Sequence, residues 1–311
     1  MSGRPPLLVT PGDPRGVGPE VALKAAAALG GPLVLIGDAE ALAVEAGRLG
    51  LPLRALASLD QAGTGLGLLA PPAGEEPVEI RALRLAVAAC LEGRARALVT
   101  GPIHKGRLAA LGFPHPGHTG FLGELCGVPR PVMAFVGRRL RVALATVHLP
   151  LRDVPGVLSQ ELLLHVARTA HAALRLRLGI AEPRLAVCGL NPHAGDGGLL
   201  GDEEARVIAP ACERLRAEGI AARGPLPAES AARDAAEGRA DLLVAMYHDQ
   251  GLIPLKLLDF GHAVNWTLGL PIVRTSVDHG TADDIAGLGI ADPGSMIAAI
   301  ELALRLAGRE P

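Results

Sequence analysis

Short apolar runs along this chain alternate with stretches whose apolar positions recur every three to four residues. The runs Leu7–Thr10, Leu33–Ile36, Ala97–Thr100, Leu185–Cys188 and Leu242–Met246 predict buried strands. Val132–Val136 and Arg141–Val147, joined by Gly137 and Arg138, predict a hairpin pair, and Asn265–Leu268 and Ile272–Thr275 two short extended pieces. Helical periodicity covers Val21–Leu29, Glu40–Leu49, Val78–Leu91, Gln160–Leu178, Glu203–Glu218 and Ser295–Leu306, whereas 51–76 reads as mostly loop. Strand-helix alternation of this kind predicts an α/β fold on a largely parallel sheet with helices on both faces. There is no repeat of fixed period.

Length adds that 311 residues exceed the usual reach of one hydrophobic core, so one large α/β domain or two lobes are expected. With 49% hydrophobic and 20% charged residues the chain is not disordered, and its 40 glycines and 26 prolines fall between the periodic segments as loops. A net charge of −2 supplies neither a basic footprint for nucleic acid nor a polybasic membrane patch. No run of 18 apolar residues occurs, and the first apolar run is too brief for the core of a signal peptide. Cys90, Cys126, Cys188 and Cys212 lack CxxC spacing, which is expected of reduced thiols in the cytoplasm. Rare residues become conspicuous against this background: lysine occurs only at 24, 105 and 256, and asparagine only at 191 and 265.

Polar clusters follow directly on predicted strands: Thr10-Pro-Gly-Asp, Gly101-Pro-Ile-His104-Lys105, His148, Asn191-Pro-His193-Ala-Gly and Tyr247-His248-Asp249-Gln250. In parallel sheets ligands bind beyond the carboxyl ends of strands, so this shared placement marks a site. His148, His193 and His248 are too far apart in sequence for a local metal finger, and each alone is more often an ordinary loop residue, whereas all three at strand ends make the two readings about equal. Gathered at one sheet edge they would form a divalent-cation site with open positions. Thr119 fits a helix N-cap, where an anion such as phosphate binds, or a plain cap. Lys256 and Arg274 are candidate partners for phosphate or carboxylate, or simple surface cations. The loop at 10–20 matches neither a phosphate-binding Walker loop nor GxGxxG. The acidic, turn-rich 277–287 segment holds carboxylates of the kind that accept hydrogen bonds from a ribose, although Thr281 or Asp283 could equally cap a helix.

Taken together, Thr10-Pro-Gly-Asp-Pro, Gly101-Pro-Ile-His-Lys, Gly117-His-Thr, Val147-His-Leu-Pro-Leu, Gly189-Leu-Asn-Pro-His-Ala-Gly, Tyr247-His-Asp-Gln-Gly-Leu-Ile-Pro-Leu-Lys and Val264-Asn-Trp-Thr-Leu-Gly-Leu-Pro resemble the 4-hydroxythreonine-4-phosphate dehydrogenases of vitamin B6 (pyridoxine) synthesis. The likeness runs in order from residue 7 to about 294. It implies a two-lobed α/β/α architecture with mostly parallel sheets, like isocitrate and isopropylmalate dehydrogenases. Residues 1–125 plus 262–311 would be the nucleotide-side lobe, and 126–261 the dimerisation and metal-side lobe. It also implies a cytoplasmic homodimer with a shared active site, in which a divalent metal (Zn, Co or Mg) is held by His148 and His193 of one subunit and His248 of its partner. The phosphorylated small-molecule substrate would contact His118, Thr119, Lys256, Asn265 and Arg274, while NAD would lie on His279, Gly280 and Asp284, with Asp284 at the ribose. Lys256 or Asp249 would transfer the proton.

The implied reaction is oxidation of 4-phosphooxy-L-threonine to 2-amino-3-oxo-4-phosphooxybutanoate, which loses CO₂ to give 3-amino-2-oxopropyl phosphate. Gly120, Asp196 and Glu229 depart from the pattern, standing where the family commonly has Glu, Glu and Asp. Relatives acting on 4-phospho-threonate or -erythronate share the histidines, and phosphotransacetylases share the architecture. A ligand-binding module without turnover is the remaining alternative.

Overall fold

The fold follows from strands that are apolar on both faces, a pattern that only helices on either side of a parallel sheet can bury. The computed structural model describes residues 5–115 and 117–308. These divide into unit 1, up to Pro131 and again over Leu270–Gly308, and unit 2, Val132–Gly269.

Unit 1 contains β1 (Leu7–Thr10), β2 (Leu33–Ile36), β3 (Arg54–Leu56), β4 (Leu66–Leu69), β5 (Ala97–Thr100) and β12 (Arg274–Ser276). They run in the order β3-β4-β2-β1-β5-β12, every pair parallel, with Thr10 level with Thr100 and Thr100 level with Ser276. Leu8, Val34, Ile36 and Leu98 pack with Ile80 and Leu83 of the helix Val78–Leu91. The carboxyl ends of β1 and β5 interlock. Gly12 adopts φ +91, and a Cβ there would lie 2.0 Å from the Pro102 carbonyl oxygen, so only glycine fits.

Unit 2 contains β6 (Val132–Val136), β7 (Arg141–Leu144), β8 (Arg184–Cys188), β9 (Ala221–Leu226), β10 (Leu242–Ala245) and β11 (Val264–Leu268), in the order β11-β6-β7-β10-β8-β9. The hairpin expected of β6 and β7 forms, β11 adds antiparallel to β6, and the other pairs are parallel. Phe135, Val142, Leu144, Leu243 and Ala245 form its core with Leu252 and Leu255 of the helix His248–Asp259.

Several expectations change. The 51–76 stretch contains β3 and β4 rather than loop alone. Ala221–Leu226 is a strand at the end of its sheet, disguised in sequence by its Arg, Gly and Pro. The motif from His248 onward is a helix despite Gly251 and Pro254. β7 stops at Leu144 instead of Val147, because its last register pair with β10 is Leu144 with Ala245, and past it the Ala145 and Thr146 N–H groups bond the Ala245 and Met246 carbonyls outside the strand.

Candidate active site

In unit 2 the parallel pairing of β7 and β10 carries both chains out of the sheet together. Beyond the last paired residues, the Ala145 N–H donates to the Ala245 carbonyl (2.8 Å), and the Thr146 hydroxyl donates to the Met246 carbonyl (2.8 Å). Two residues later the His148 and His248 rings face each other, with centroids 5.8 Å apart. His248 opens its helix, and Gly251 sets how close that helix lies. A Cβ on Gly251 would come within 2.6 Å of Val142 and 3.0 Å of Leu144, so its absence lets the first turn rest on the sheet.

The Asp249 carboxylate lies 2.7 Å from His248 Nδ1. A proton on Nδ1 donated to that carboxylate leaves Nε2 with its lone pair exposed, which is the tautomer a metal requires. Two imidazoles bonded to one ion at about 2.1 Å, their ring centres further out, reach a separation like the one between His148 and His248. Imidazole donors suit Zn²⁺ or Co²⁺. The donor chemistry therefore fits, but not within one chain. Among the described residues no three His, Cys, Asp or Glu side chains are grouped to hold a metal ion, so His193 does not join the other two.

His193 follows β8 on an unusual turn. His193, Ala194, Gly195, Asp196 and Gly197 all take left-handed backbone angles, at φ 53, 56, 81, 43 and 66. For each of the three non-glycine residues this costs about 1–2 kcal/mol, so the surroundings must impose it. Glu204 is the main restraint. Its buried carboxylate accepts from the Leu190 and Asn191 N–H groups (2.7 and 2.8 Å) and from the Asn191 side-chain amide (3.0 Å). Burial pushes the Glu204 carboxyl up, but the hydrogen bonds from Asn191 and Leu190 outweigh it and hold the group below its ordinary value, ionised. Gln250 links this loop to the His248 side, donating to the Gly189 carbonyl and accepting from the Met246 N–H, each at 2.7 Å. Sequence reading passed over Glu204 and gave Gln250 no role. The one available signal was the run of Gly and Asn in the 189–198 loop, a composition that needs an external anchor.

Lys256 is half-buried on the helix that begins at His248, and Asn265 lies on β11 level with Phe135. The Asn265 side-chain oxygen is buried without a hydrogen-bond partner, a free acceptor for a ligand N–H or O–H.

In unit 1 the feature that stands out is a cation inside a sheet. Arg274 sits on β12 only 2% exposed, and burial lowers its pKa to about 9. One of its Nη groups donates to the Thr100 hydroxyl (2.5 Å) and to His118 Nδ1 (3.2 Å). Burial, then the charges of Arg274 and Lys105, push His118 well below its ordinary value, so the ring is neutral and able to accept that bond. Neither of these two groups carries a negative charge, and a buried guanidinium has the charge and donor geometry that suit an anion such as phosphate. His118 begins the helix His118–Leu125. The N-cap is Gly117 rather than Thr119, because the helix starts two residues earlier than the capping pattern suggests, and Thr119 sits inside its first turn.

The 279–284 segment is irregular up to residue 282 and enters a turn at Asp283, with no capped helix. Asp283 is bound by Arg107 (2.7 and 3.2 Å), which also reaches buried Asp13 (2.7 Å). Arg107, then the Thr281 side chain, lower the Asp283 carboxyl. With that anchor, His279, Gly280 and Asp284 are left exposed, and the Asp284 carboxylate has the acceptor chemistry a ribose diol needs.

Largely parallel sheets with imidazole, carboxylate and guanidinium groups at strand ends define an α/β protein of the enzyme type that works on small polar ligands. The chain belongs to the family of the pyridoxal phosphate biosynthetic protein PdxA, whose pattern matches residues 33–303. It is 46% identical over 325 residues to the 4-hydroxythreonine-4-phosphate dehydrogenase of Thioalkalivibrio sulfidiphilus, covering 99% of this chain and 98% of that one. The crystal structure of the 4-hydroxythreonine-4-phosphate dehydrogenase of Klebsiella pneumoniae superposes with a TM-score of 0.89 at 39% identity, covering 99% of both chains. A β-decarboxylating dehydrogenase of Thermococcus kodakarensis (TM-score 0.51, 16% identity, 98% of this chain and 84% of that one) shares the fold, which is the isocitrate/isopropylmalate dehydrogenase-like one. Among the described residues no helix is long and apolar enough to cross a membrane.

Proposed function

We propose that this protein is a cytoplasmic, NAD- and divalent-metal-dependent dehydrogenase that oxidises 4-phosphooxy-L-threonine at its hydroxyl carbon in pyridoxal phosphate synthesis. The product, 2-amino-3-oxo-4-phosphooxybutanoate, loses CO₂ to give 3-amino-2-oxopropyl phosphate. The observation that carries the reading is the His148–His248 pair oriented by Asp249, in a chain whose family is named for pyridoxal phosphate biosynthesis and whose relatives bear this activity in their names. His193 completes the ligand set from a second copy in a homodimer, a division that differs from the expected His148 and His193 of one subunit with His248 of its partner, because one chain pairs His148 with His248. A bound cation would acidify the substrate hydroxyl and stabilise charge that develops on loss of CO₂, and NAD would accept the hydride.

The chain's own groups divide the remaining work. Arg274, neutral His118 and Thr119 anchor the phosphate, so remote binding energy orients the reacting carbon. Asn265 offers its unpartnered oxygen to the substrate. Lys256 takes the hydroxyl proton, whereas Asp249 fixes the tautomer of His248. Asp284 receives the ribose hydroxyls, making unit 1 the nucleotide side and unit 2 the metal side. Exposed apolar side chains support the dimer. Ile253, Leu257 and Phe260 are 59%, 81% and 82% exposed along the helix that starts at His248 and its C-cap. That stripe is far more apolar than a solvated helix face needs.

The test is NADH formation from 4-phosphooxy-L-threonine, with 4-phospho-threonate and 4-phospho-erythronate in parallel, each with and without chelator. Turnover of the first that chelator abolishes is expected, with His193→Ala folded but inactive. Wild-type turnover by His193→Ala in metal-stripped buffer would remove the metal assignment, and preference for either other substrate would reassign the reaction.

A further inference from the structure

The left-handed turn of 193–197 is held from below by one carboxylate. Glu204 Oε1 accepts both the Leu190 and Asn191 N–H groups, and Oε2 takes the Asn191 amide, which Glu203 also binds at 2.7 Å. The same carboxylate lies directly beneath the turn, since a Cβ on Gly195 would come within 2.7 Å of Glu204 Oε2. Backbone bonds within the loop, Ala194 N–H to the Asn191 carbonyl (3.1 Å), Leu199 N–H to the Asp196 carbonyl (3.3 Å) and Leu200 N–H to the Gly195 carbonyl (3.1 Å), close it from above. Ala194 and Asp196 carry side chains in a backbone region that glycine occupies freely, so the turn would relax without its anchor. His193 itself is exposed, with its ring outside this network.

We propose that Glu204 is a positioning residue for His193. With Asn191 it locks the left-handed turn, so that the imidazole is presented in a fixed direction to a divalent cation. The proposal rests on His193 being a metal ligand. Its physical content is preorganisation: a ligand whose backbone is already set loses less freedom on binding, and removing a supporting partner of this kind typically weakens metal binding about 10–100-fold.

The test is Co²⁺ titration of the metal-free full-length protein, followed by visible absorption and by calorimetry, alongside its melting temperature. Glu204→Gln keeps the size and one acceptor but sets an NH₂ group against donors, and it is expected to weaken Co²⁺ binding about 10–100-fold. Ala194→Gly in that background, which removes the cost of one left-handed side chain, is expected to recover part of the affinity. A role in general stability alone would lower the melting temperature and leave Co²⁺ affinity unchanged, and that result would overturn the proposal. So would a double variant with no recovery. If Glu204→Gln does not fold, Asn191→Ala, which leaves both backbone bonds to Glu204 intact, is expected to lose affinity several-fold, and wild-type affinity there would overturn the proposal. His193→Ala separates the two levels. Unchanged Co²⁺ binding in it would refute His193 as a ligand, whereas loss in His193→Ala with none in Glu204→Gln would refute only the positioning.

Discussion

Arg274 and His118 show how two side chains set each other's chemistry. A guanidinium at 2% exposure that bonds a hydroxyl and a neutral ring is costly to bury, and burial lowers its pKa to about 9. His118 pays the other side of the arrangement by staying neutral. Because its folded-state pKa lies below the ordinary 6.5, the unfolded chain binds the extra proton as pH falls through that value. Stability conferred by the neutral ring is therefore present above about pH 6.5 and lost on acidification. Urea midpoints measured from pH 7.5 down to 5.5 should fall more steeply for the wild type than for His118→Asn. Equal slopes would mean that the ring is not held neutral in the folded protein.

At the scale of elements, the site depends on how the helix His248–Asp259 seats on β7 and β10. Gly251 has Val142, Leu144 and Ala245 against the position its Cβ would take, at 2.6, 3.0 and 3.1 Å. Gly251→Ala should therefore lift the first turn and cost about 1–3 kcal/mol of stability, as overpacking does. It should also weaken Co²⁺ binding, since His248 moves with that turn. Thermal unfolding and metal titration on the same preparation check both, and a stability equal to wild type would show that the helix already stands clear of the sheet. β9 teaches the opposite lesson about elements. Its Arg-Gly-Pro sequence argues against a strand, yet at the end of the unit 2 ladder it pairs only with β8 and tolerates what an inner strand would not.

For the molecule as a whole, the unfinished part is the ligand set for the cation. His148 and His248 meet within one chain, His193 does not join them, and a stripe of Ile253, Leu257 and Phe260 lies bare on the helix that His248 begins. If a second copy covers that stripe, Leu257→Glu with Phe260→Glu should give a folded monomer by light scattering. Metal-dependent turnover should be lost at the same time. A double variant that stays dimeric would place the interface elsewhere.

Much of this was open to sequence reading for a definite reason. Parallel strands are apolar on both faces, so β1, β2, β5, β8 and β10 stand out as runs, and polar groups directly after them must fall at the carboxyl ends. That argument reached His148, His193, His248 and Asp249, and resemblance supplied roles for Arg274, Asn265 and Asp284. It could not reach Glu204, which lies among ordinary helix-forming residues and becomes special only where the chain folds back beneath Gly195. Nor could it tell that Asp249 would bond the ring next to it, that Gly117 rather than Thr119 would cap its helix, or that Gln250 would tie two strand ends together. Periodicity and composition are local properties, and they determined the class of fold, the strand ends and the residue types gathered there. Which carboxylate holds which loop, and which imidazoles meet, depends on contacts between segments tens of residues apart. Those distances close only when the apolar faces are buried, and so tertiary structure alone decided them.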